Sequence, residues 1–262
     1  MLKLLISISA LVVIAKCTSS VPELINMRIA GGRAAMEHEF PYLVSLQYED
    51  RHHCGGSIIS VCCILTAAHC ISSFSIDSLT VVAGINYLDE EGIRYTVQQV
   101  IPHEKYNDRT YFYDIGIVIL TSKIEFSQFI GSIPLESKFI IPGSTVEFSG
   151  WGTNVIDGNA ETILQTVSLK IISYDQCKLK HSSLSPIPEA QICTFTKVGQ
   201  GICQGDSGGP LVFKGYQVGI ASAGRPCAIG FPEIYTNVSF FYDWINLSTS
   251  KVIQDQLLSN KQ

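Results

Sequence analysis

The sequence predicts an all-β protein built from antiparallel barrels or sandwiches, with one helix at its C-terminal end. The first observation behind this prediction is a series of short β-branched or alternating runs, separated by glycine, proline and asparagine. The second is that only the C-terminal stretch carries a convincing helical pattern. Many short strands at this spacing are typical of antiparallel barrels and sandwiches.

The predicted strands are rich in β-branched or alternating apolar residues, and they are Leu79–Ile85, Tyr95–Ile101, Val118–Leu120, Ser144–Trp151 and Gln217–Ala221. The predicted helix covers residues 239–249, with Ser239 as its candidate N-cap. Its apolar face is formed by Phe240, Phe241, Trp244 and Ile245.

The N-terminal residues 1–17 have the pattern of a secretory signal peptide. Lys3 precedes an apolar run from Leu4 to Ala15 that is too short to span a bilayer. No later run is long enough for a transmembrane helix. We therefore expect a secreted, extracellular protein with no membrane partner, in a compartment where disulfides form.

The charge of the chain excludes one class of partner. The 262 residues carry a formal charge of −5. Removal of residues 1–28 takes away three basic residues and one acidic residue, which leaves −7. An acidic chain without a basic run argues against nucleic acid as a partner.

A serine lies among glycines in the stretch Cys203–Pro210, which reads CQGDSGGP. Glycines allow a sharp turn that brings N–H groups close to a substrate, and a serine hydroxyl becomes a nucleophile when a base takes its proton. Alone, the stretch also fits a surface turn or the G-x-S-x-G pattern of α/β-hydrolases, in which the histidine follows the serine. That second class is excluded because every histidine precedes Ser207: His38, His52, His53, His69, His103 and His181.

Two further residues fit the order His, Asp, Ser. His69 lies in Thr66–Cys70, directly after an apolar pair, where a lone histidine is often only a hydrogen-bonded core residue. Asp114 precedes the apolar run Ile115–Leu120, and a carboxylate buried there needs a partner. Together with Ser207 they form the set of groups that nucleophilic acyl transfer requires.

With these motifs the chain resembles the chymotrypsin/trypsin (S1-type) family of serine peptidases, from Ile29 to Leu247. Further motifs occur in the family's order, namely Ile29–Gly32, His52–Ile59, Ser149–Gly152 and Pro232–Thr236. The segments His103–Tyr106 and Tyr242–Ile245 are similar to those of arthropod digestive enzymes such as the mite group 3 allergens.

The resemblance implies two six-stranded antiparallel Greek-key barrels with the site between them. It places a propeptide at 18–28 and the peptidase domain at 29–262, with barrels at about 29–130 and 131–236. His69 would be the base, Asp114 its orienting acid and Ser207 the nucleophile. Gly205 and Ser207 would supply the oxyanion hole, and Ser222 would support Asp114 while Gly224 leaves the pocket entrance open.

The resemblance also implies a zymogen and a set of disulfides. Cleavage after Arg28 would free the Ile29 ammonium to pair with Asp206. The implied disulfides are Cys54–Cys70, Cys177–Cys193 and Cys203–Cys227. Cys62 and Cys63 are left over, so we expect at least one free thiol and, on a strand, opposite faces for the two side chains.

Several positions depart from the family's pattern. Gly201 stands at the pocket base where trypsins have aspartate, with Ile202 beside it, and Glu233 stands where a glycine is usual. Ala223 and Cys63 each replace a tryptophan, Gly116 replaces an alanine and Ala30 replaces a valine. Ile85 stands where the calcium-binding loop of trypsins has its first acidic residue. We therefore expect no metal and no cofactor.

Two functions remain open at this point. The first is a secreted, monomeric serine endopeptidase that acts on protein or peptide substrates, is activated by another protease and is a target for protein inhibitors. The second is a protease-like binding or decoy protein that has lost turnover through changes in its cleft. Asn237 and Asn246 head glycosylation sequons.

Overall fold

The computed structural model describes residues 31–153, 160, 162–181, 188–225 and 227–259, with side chains up to residue 250. The predicted signal peptide and propeptide, together with Arg28, Ile29 and Ala30, lie outside the described residues. No helix in the described part is long and apolar enough to cross a membrane.

The first barrel is a closed ring of six antiparallel strands in the order β2-β3-β4-β7-β6-β5. Its strands are β2 (Leu43–Tyr48), β3 (Arg51–Ile58), β4 (Cys63–Thr66), β5 (Leu79–Ala83), β6 (Ile93–Pro102) and β7 (Gly116–Leu120). Strands β4 and β7 are buried along their whole length. Continuous runs of Ile, Leu and Val suit such strands, because both of their faces are covered.

The second barrel is formed by six strands of a seven-stranded sheet, ordered β1-β9-β10-β13-β12-β11-β8 and closed by pairing between β8 and β9. Its strands are β8 (Thr145–Gly150), β9 (Gln165–Ile172), β10 (Gln191–Thr194), β11 (Pro210–Phe213), β12 (Tyr216–Gly224) and β13 (Glu233–Asn237). The two-residue strand β1 (Arg33–Ala34) pairs with β9. The chain segment before the first barrel therefore joins the edge of the second.

The predicted two-barrel fold is confirmed, and the five predicted strands are present with small shifts at their ends. The short helix α1 (Tyr174–Lys178) was not predicted. The C-terminal helix α2 spans Tyr242–Ser259, later and longer than predicted. Ser239 precedes it by three residues, and its hydroxyl donates to Asn237 Oδ1 at 3.0 Å.

Helix α2 is held against the first barrel by an aromatic cluster. The buried ring of His103 stacks on Tyr113 at 5.0 Å and contacts Phe241 and Trp244 at 5.4 and 4.9 Å. Trp244 also donates its indole N–H to Glu104. Tyr113 directly precedes Asp114 in the chain, so the docked helix supports the segment that carries this carboxylate.

The three disulfides link Cys54 to Cys70, Cys177 to Cys193 and Cys203 to Cys227. Cys62 and Cys63 are free thiols. The prediction that their side chains take opposite faces is wrong. Cys62 lies in the turn before β4 rather than on the strand, both side chains are buried, and their Sγ atoms are 3.6 Å apart.

The two sequons differ in their surroundings. Asn237, at the end of β13, is buried, and its side-chain N–H donates to the carbonyl of Glu189 at 2.8 Å. Asn246 lies on the exposed side of α2. A glycan would therefore meet two very different environments.

Candidate active site

The first barrel contributes a histidine and an aspartate that contact each other directly. His69 belongs to the 3-10 turn Ala68–Cys70, which follows β4, and Asp114 lies just before β7. His69 Nδ1 lies 2.8 Å from Asp114 Oδ2, and the His69 backbone N–H donates to Oδ1 at 2.9 Å. Because a carboxylate only accepts, the imidazole proton is on Nδ1, which leaves the Nε2 lone pair free to accept a proton.

The second barrel completes the surroundings of Asp114. Ser222 on β12 donates its hydroxyl to Asp114 Oδ2 at 2.6 Å, and Thr236 on β13 donates to the Asp114 carbonyl at 2.6 Å. The carboxylate is fully buried and accepts three hydrogen bonds. Such bonds satisfy a charge that would otherwise be very costly to bury.

Ser207 shares a cleft of about 320 Å³ with His69. Its loop is anchored from both barrels. Gly55 on β3 donates its N–H to the Ser207 carbonyl at 2.7 Å, and the Gly208 N–H donates to Ala221 on β12 at 2.7 Å. A Cβ at Gly55 would press on the backbone of Gly209, so the close approach of the two barrels requires glycine here.

His52 fixes the peptide of Gly205, a role the sequence did not indicate. Its Nε2 lies 2.9 Å from the Gly205 carbonyl, and its Nδ1 lies 2.8 Å from Ser45 Oγ. Burial lowers the pKa of His52 to about 4, so the ring is neutral and its one N–H points at the carbonyl. Because the carbonyl is held towards His52, the peptide between Gly205 and Asp206 has a defined orientation, with Gly205 itself at a φ of +92°.

Asp206 is a buried acid with two donors in the described part of the chain. The N–H groups of Gly152 and Cys203 each donate to its carboxylate at 2.9 Å. Burial raises its pKa to about 7. A Cβ at Gly150 or Gly152 would collide with this carboxylate, so the two glycines provide its space.

The base of the cleft holds a second buried acid. Glu233 on β13 places Oε1 where a Cβ on Gly201 would lie, so its carboxyl group fills the space that glycine leaves open. Thr194 on β10 donates to Glu233 Oε2 at 2.9 Å. Burial raises the pKa of Glu233 to about 8, so the carboxyl is mostly neutral at pH 7.

The remaining walls of the cleft include Ile202, Ala223 and Gly224, together with two residues that the sequence did not indicate. Tyr111 packs its ring edge against His69 at 5.4 Å. Arg225, which directly follows β12, holds its guanidinium 4.1 Å from the centre of the Phe231 ring. Both depend on loop geometry, for which the sequence carries no motif.

Two departures from the family's pattern have a structural explanation. A Cβ at Gly116 would collide with the end of the Ile71 side chain, so alanine there would require that side chain to shift. Ala223 is half-buried and packs against the cluster of Cys177, Cys193 and Ile234, where it lines the cleft without closing it.

One group of metal-type ligands lies close together in the described residues, namely Cys54, His69 and Cys70. The two sulfurs are joined in a disulfide and offer no thiolate, so these residues do not form a metal site.

Comparison with known proteins agrees with this geometry. The family model described as Trypsin matches residues 29–245. The chain belongs to the trypsin family of serine proteases. It is 42% identical to Chymotrypsin-2 of Vespa crabro over 83% of this chain and 98% of that protein. It is 38% identical to Trypsin alpha-4 of Lucilia cuprina over 88% and 91%, and 38% identical to Trypsin alpha of Drosophila melanogaster over 97% and 100%.

Proposed function

We propose that this trypsin-family protein is a secreted serine endopeptidase that uses Ser207, His69 and Asp114. The observation that carries the proposal is the bonded chain from Ser222 through Asp114 to His69, next to Ser207 in one cleft. His69 Nε2 takes the proton of the Ser207 hydroxyl as its oxygen attacks the scissile carbonyl. It then passes this proton to the leaving amine.

The oxyanion of the tetrahedral intermediate is bound by the N–H groups of Gly205 and Ser207. His52 supports this assignment, because it holds the carbonyl of the Gly205–Asp206 peptide, which lies along the chain between these two N–H groups. One such donor lowers the barrier by about 3–4 kcal/mol in related sites. The β12 residues Ser222–Gly224 then pair with the substrate backbone as an added strand.

Activation is proposed to follow cleavage after Arg28 by another protease. The new Ile29 ammonium pairs with Asp206, whose carboxyl group is buried with two N–H donors. A cation at this site would stabilise the charged carboxylate against its burial, and the resulting order would extend to Gly205 and Ser207 on either side. We take the enzyme to be a monomer that is open to protein inhibitors at the same cleft.

The primary specificity is proposed to be mixed. Some relatives are named trypsin and another is named chymotrypsin, so their names do not decide the primary specificity. Ile202 makes the pocket apolar, while Glu233 at its base offers a carboxyl group to a lysine or arginine. Large apolar and aromatic side chains are accepted alongside basic ones.

Titration with an organophosphonate, which labels an activated serine covalently, tests the proposed function. After tryptic cleavage at Arg28, about one equivalent should react per chain, and Ser207→Ala should remove both labelling and turnover, with a loss on the order of 10⁶-fold in kcat. The alternative, a binding or decoy protein, predicts a folded, cleaved chain that does not react. Nothing in the described cleft favours that alternative.

A further inference from the structure

We propose that Arg225 selects substrates with an acidic side chain at the third or fourth residue before the scissile bond. This inference rests on the proposed peptidase function and goes beyond the primary pocket, because it concerns a second position on the substrate. Arg225 is the sole lysine or arginine among the described residues that line the catalytic cleft.

The guanidinium of Arg225 is held in place and left available for a ligand. It lies over the face of the Phe231 ring, 4.1 Å from the centre, an arrangement that fixes the group and retains its charge. The ring in turn contacts His181 at 6.0 Å, and the next carbonyl, that of Pro232, lies 2.7 Å from His181 Nε2. A planar guanidinium in this position presents its N–H edges to a carboxylate.

No described carboxylate forms an ion pair with Arg225. Glu233 is the one described acid that lines the same cleft, but it lies buried at the base of the cleft, whereas Arg225 is exposed at the rim. Burial also keeps Glu233 mostly neutral at pH 7. The charge of Arg225 is therefore not neutralised from within the site.

The position along the substrate follows from strand geometry. In an antiparallel pair, each step along one strand moves one residue in the opposite direction along the other. Gly208, directly after Ser207, donates its N–H to the carbonyl of Ala221 at 2.7 Å, so Ser222 lies beside the nucleophile. We therefore take Ser222 to lie level with the residue whose carbonyl is attacked, so each step past it moves one residue away from the scissile bond. Arg225 is three steps past Ser222, and its long side chain reaches the third or fourth substrate residue before that bond.

The experiment compares matched peptides that carry one glutamate or glutamine, moved from the second to the fifth residue before the scissile bond. For the wild type, kcat/KM should be about two- to fivefold higher with glutamate at the third or fourth residue, as for an exposed ion pair. Arg225→Gln should remove this preference, and Arg225→Lys should retain most of it. Raising the salt from about 0.05 to 1 M should weaken the preference, because the pair is solvent-exposed.

The matched control is Lys214→Gln. Lys214 is also an exposed cation over an aromatic ring, at 5.1 Å from the centre of Phe213, but it lies at the other end of β12. Ten residues separate the two cations, and the nine of them in β12 span about 30 Å, well beyond the screening length. Lys214→Gln should keep the glutamate preference unchanged.

The outcomes separate the two proposals. If no peptide is cleaved, the proposed peptidase function is wrong. If peptides are cleaved but glutamate and glutamine are equivalent at every position, the role of Arg225 is wrong while the peptidase function stands. Equal loss of preference in Arg225→Gln and Lys214→Gln would assign the effect to net charge and would also overturn the role of Arg225.

Discussion

Two buried acids, Asp114 behind His69 and Glu233 at the base of the cleft, differ in how completely the described residues satisfy them. Asp114 is fully buried and accepts three hydrogen bonds, from the His69 backbone and ring and from Ser222. Glu233 is 2% exposed and has one side-chain donor, Thr194. Burial raises the pKa of Glu233 to about 8.

The comparison shows that one fold can surround the same functional group in two different ways. A carboxylate that accepts three hydrogen bonds from the protein has a fixed position, which the proposed role of Asp114 in orienting His69 requires. Burial dominates at Glu233, whose carboxyl group stays mostly neutral at pH 7 although Thr194 and its own backbone N–H donate to it. Asp206 likewise has two donors among the described residues, and the proposed Ile29 ammonium would be its third partner.

The largest effect is expected for Asp114→Asn. The amide cannot accept at both positions and favours the wrong His69 tautomer, so kcat should fall about 10⁴-fold, as in other triads of this kind. Steady-state kinetics on the activated enzyme would measure it. Ser222→Ala is the control, since it removes one of three donors and should cost about tenfold or less. Equal losses in the two variants would contradict the distinct role of Asp114.

A smaller loss of activity is expected when Asp206 cannot pair with its proposed partner, the Ile29 ammonium. Arg28→Gln should give a folded protein that trypsin does not activate at this bond, with kcat/KM reduced by about 10²–10³-fold, the range for loss of an oxyanion donor. At high pH the activated wild type should approach the same state, because its α-amine loses its charge above a pKa that pairing with Asp206 would raise from the ordinary value of about 8. An uncut form as active as the cut form would show that no zymogen exists.

The third prediction concerns the pH dependence of specificity. Because the pKa of Glu233 is raised to about 8, the carboxyl gains its charge as pH rises through that value. The ratio of kcat/KM for lysine or arginine over phenylalanine or tyrosine should therefore rise between about pH 6 and 9, by about tenfold. Glu233→Gln should give a flat ratio, and Glu233→Gly should lose cleavage after basic residues while retaining cleavage after aromatic and leucine residues.

Two further measurements sharpen this prediction. The hydrogen bond from Thr194 lowers the pKa of Glu233, so Thr194→Val should move the change in specificity to higher pH. In stability, the raised pKa means that the folded state binds the proton more tightly than the unfolded state does. This contribution is present below about pH 4.5 and is lost as pH rises through about 8, so Glu233→Gln should reduce the loss of stability in this range. The loss that remains comes from Asp206, whose pKa burial raises to about 7. An unchanged stability curve would place the titration on another group.

The strands and the catalytic motifs could be predicted because each depends on local sequence. Alternating apolar residues define strands such as β6, and short motifs mark His69, Asp114 and Ser207. Glu233 could also be predicted as a pocket residue, because its carboxyl group can enter the space that Gly201, which has no side chain, leaves open. Each of these predictions used one segment of the sequence, or two segments that the family's pattern relates.

Other features depend on contacts between distant segments and have no local signal. The bond from His52 to Gly205 joins residues that are 153 positions apart. Arg225 and Tyr111 take their positions from loops. Strand alternation predicts opposite faces for Cys62 and Cys63, but Cys62 lies in the turn before β4, where alternation does not apply, and both side chains are buried.

Folding affects glycosylation differently at the two sequons, Asn237 and Asn246. The nitrogen of Asn237 that would carry a glycan already donates to Glu189 within the folded protein, and its side chain is buried. A chain glycosylated there before folding would lose that bond and find no room for the sugar in this structure. At the exposed Asn246 a glycan would extend into solvent. If the protein is secreted, as proposed, folding and glycosylation therefore compete for Asn237 and proceed independently at Asn246.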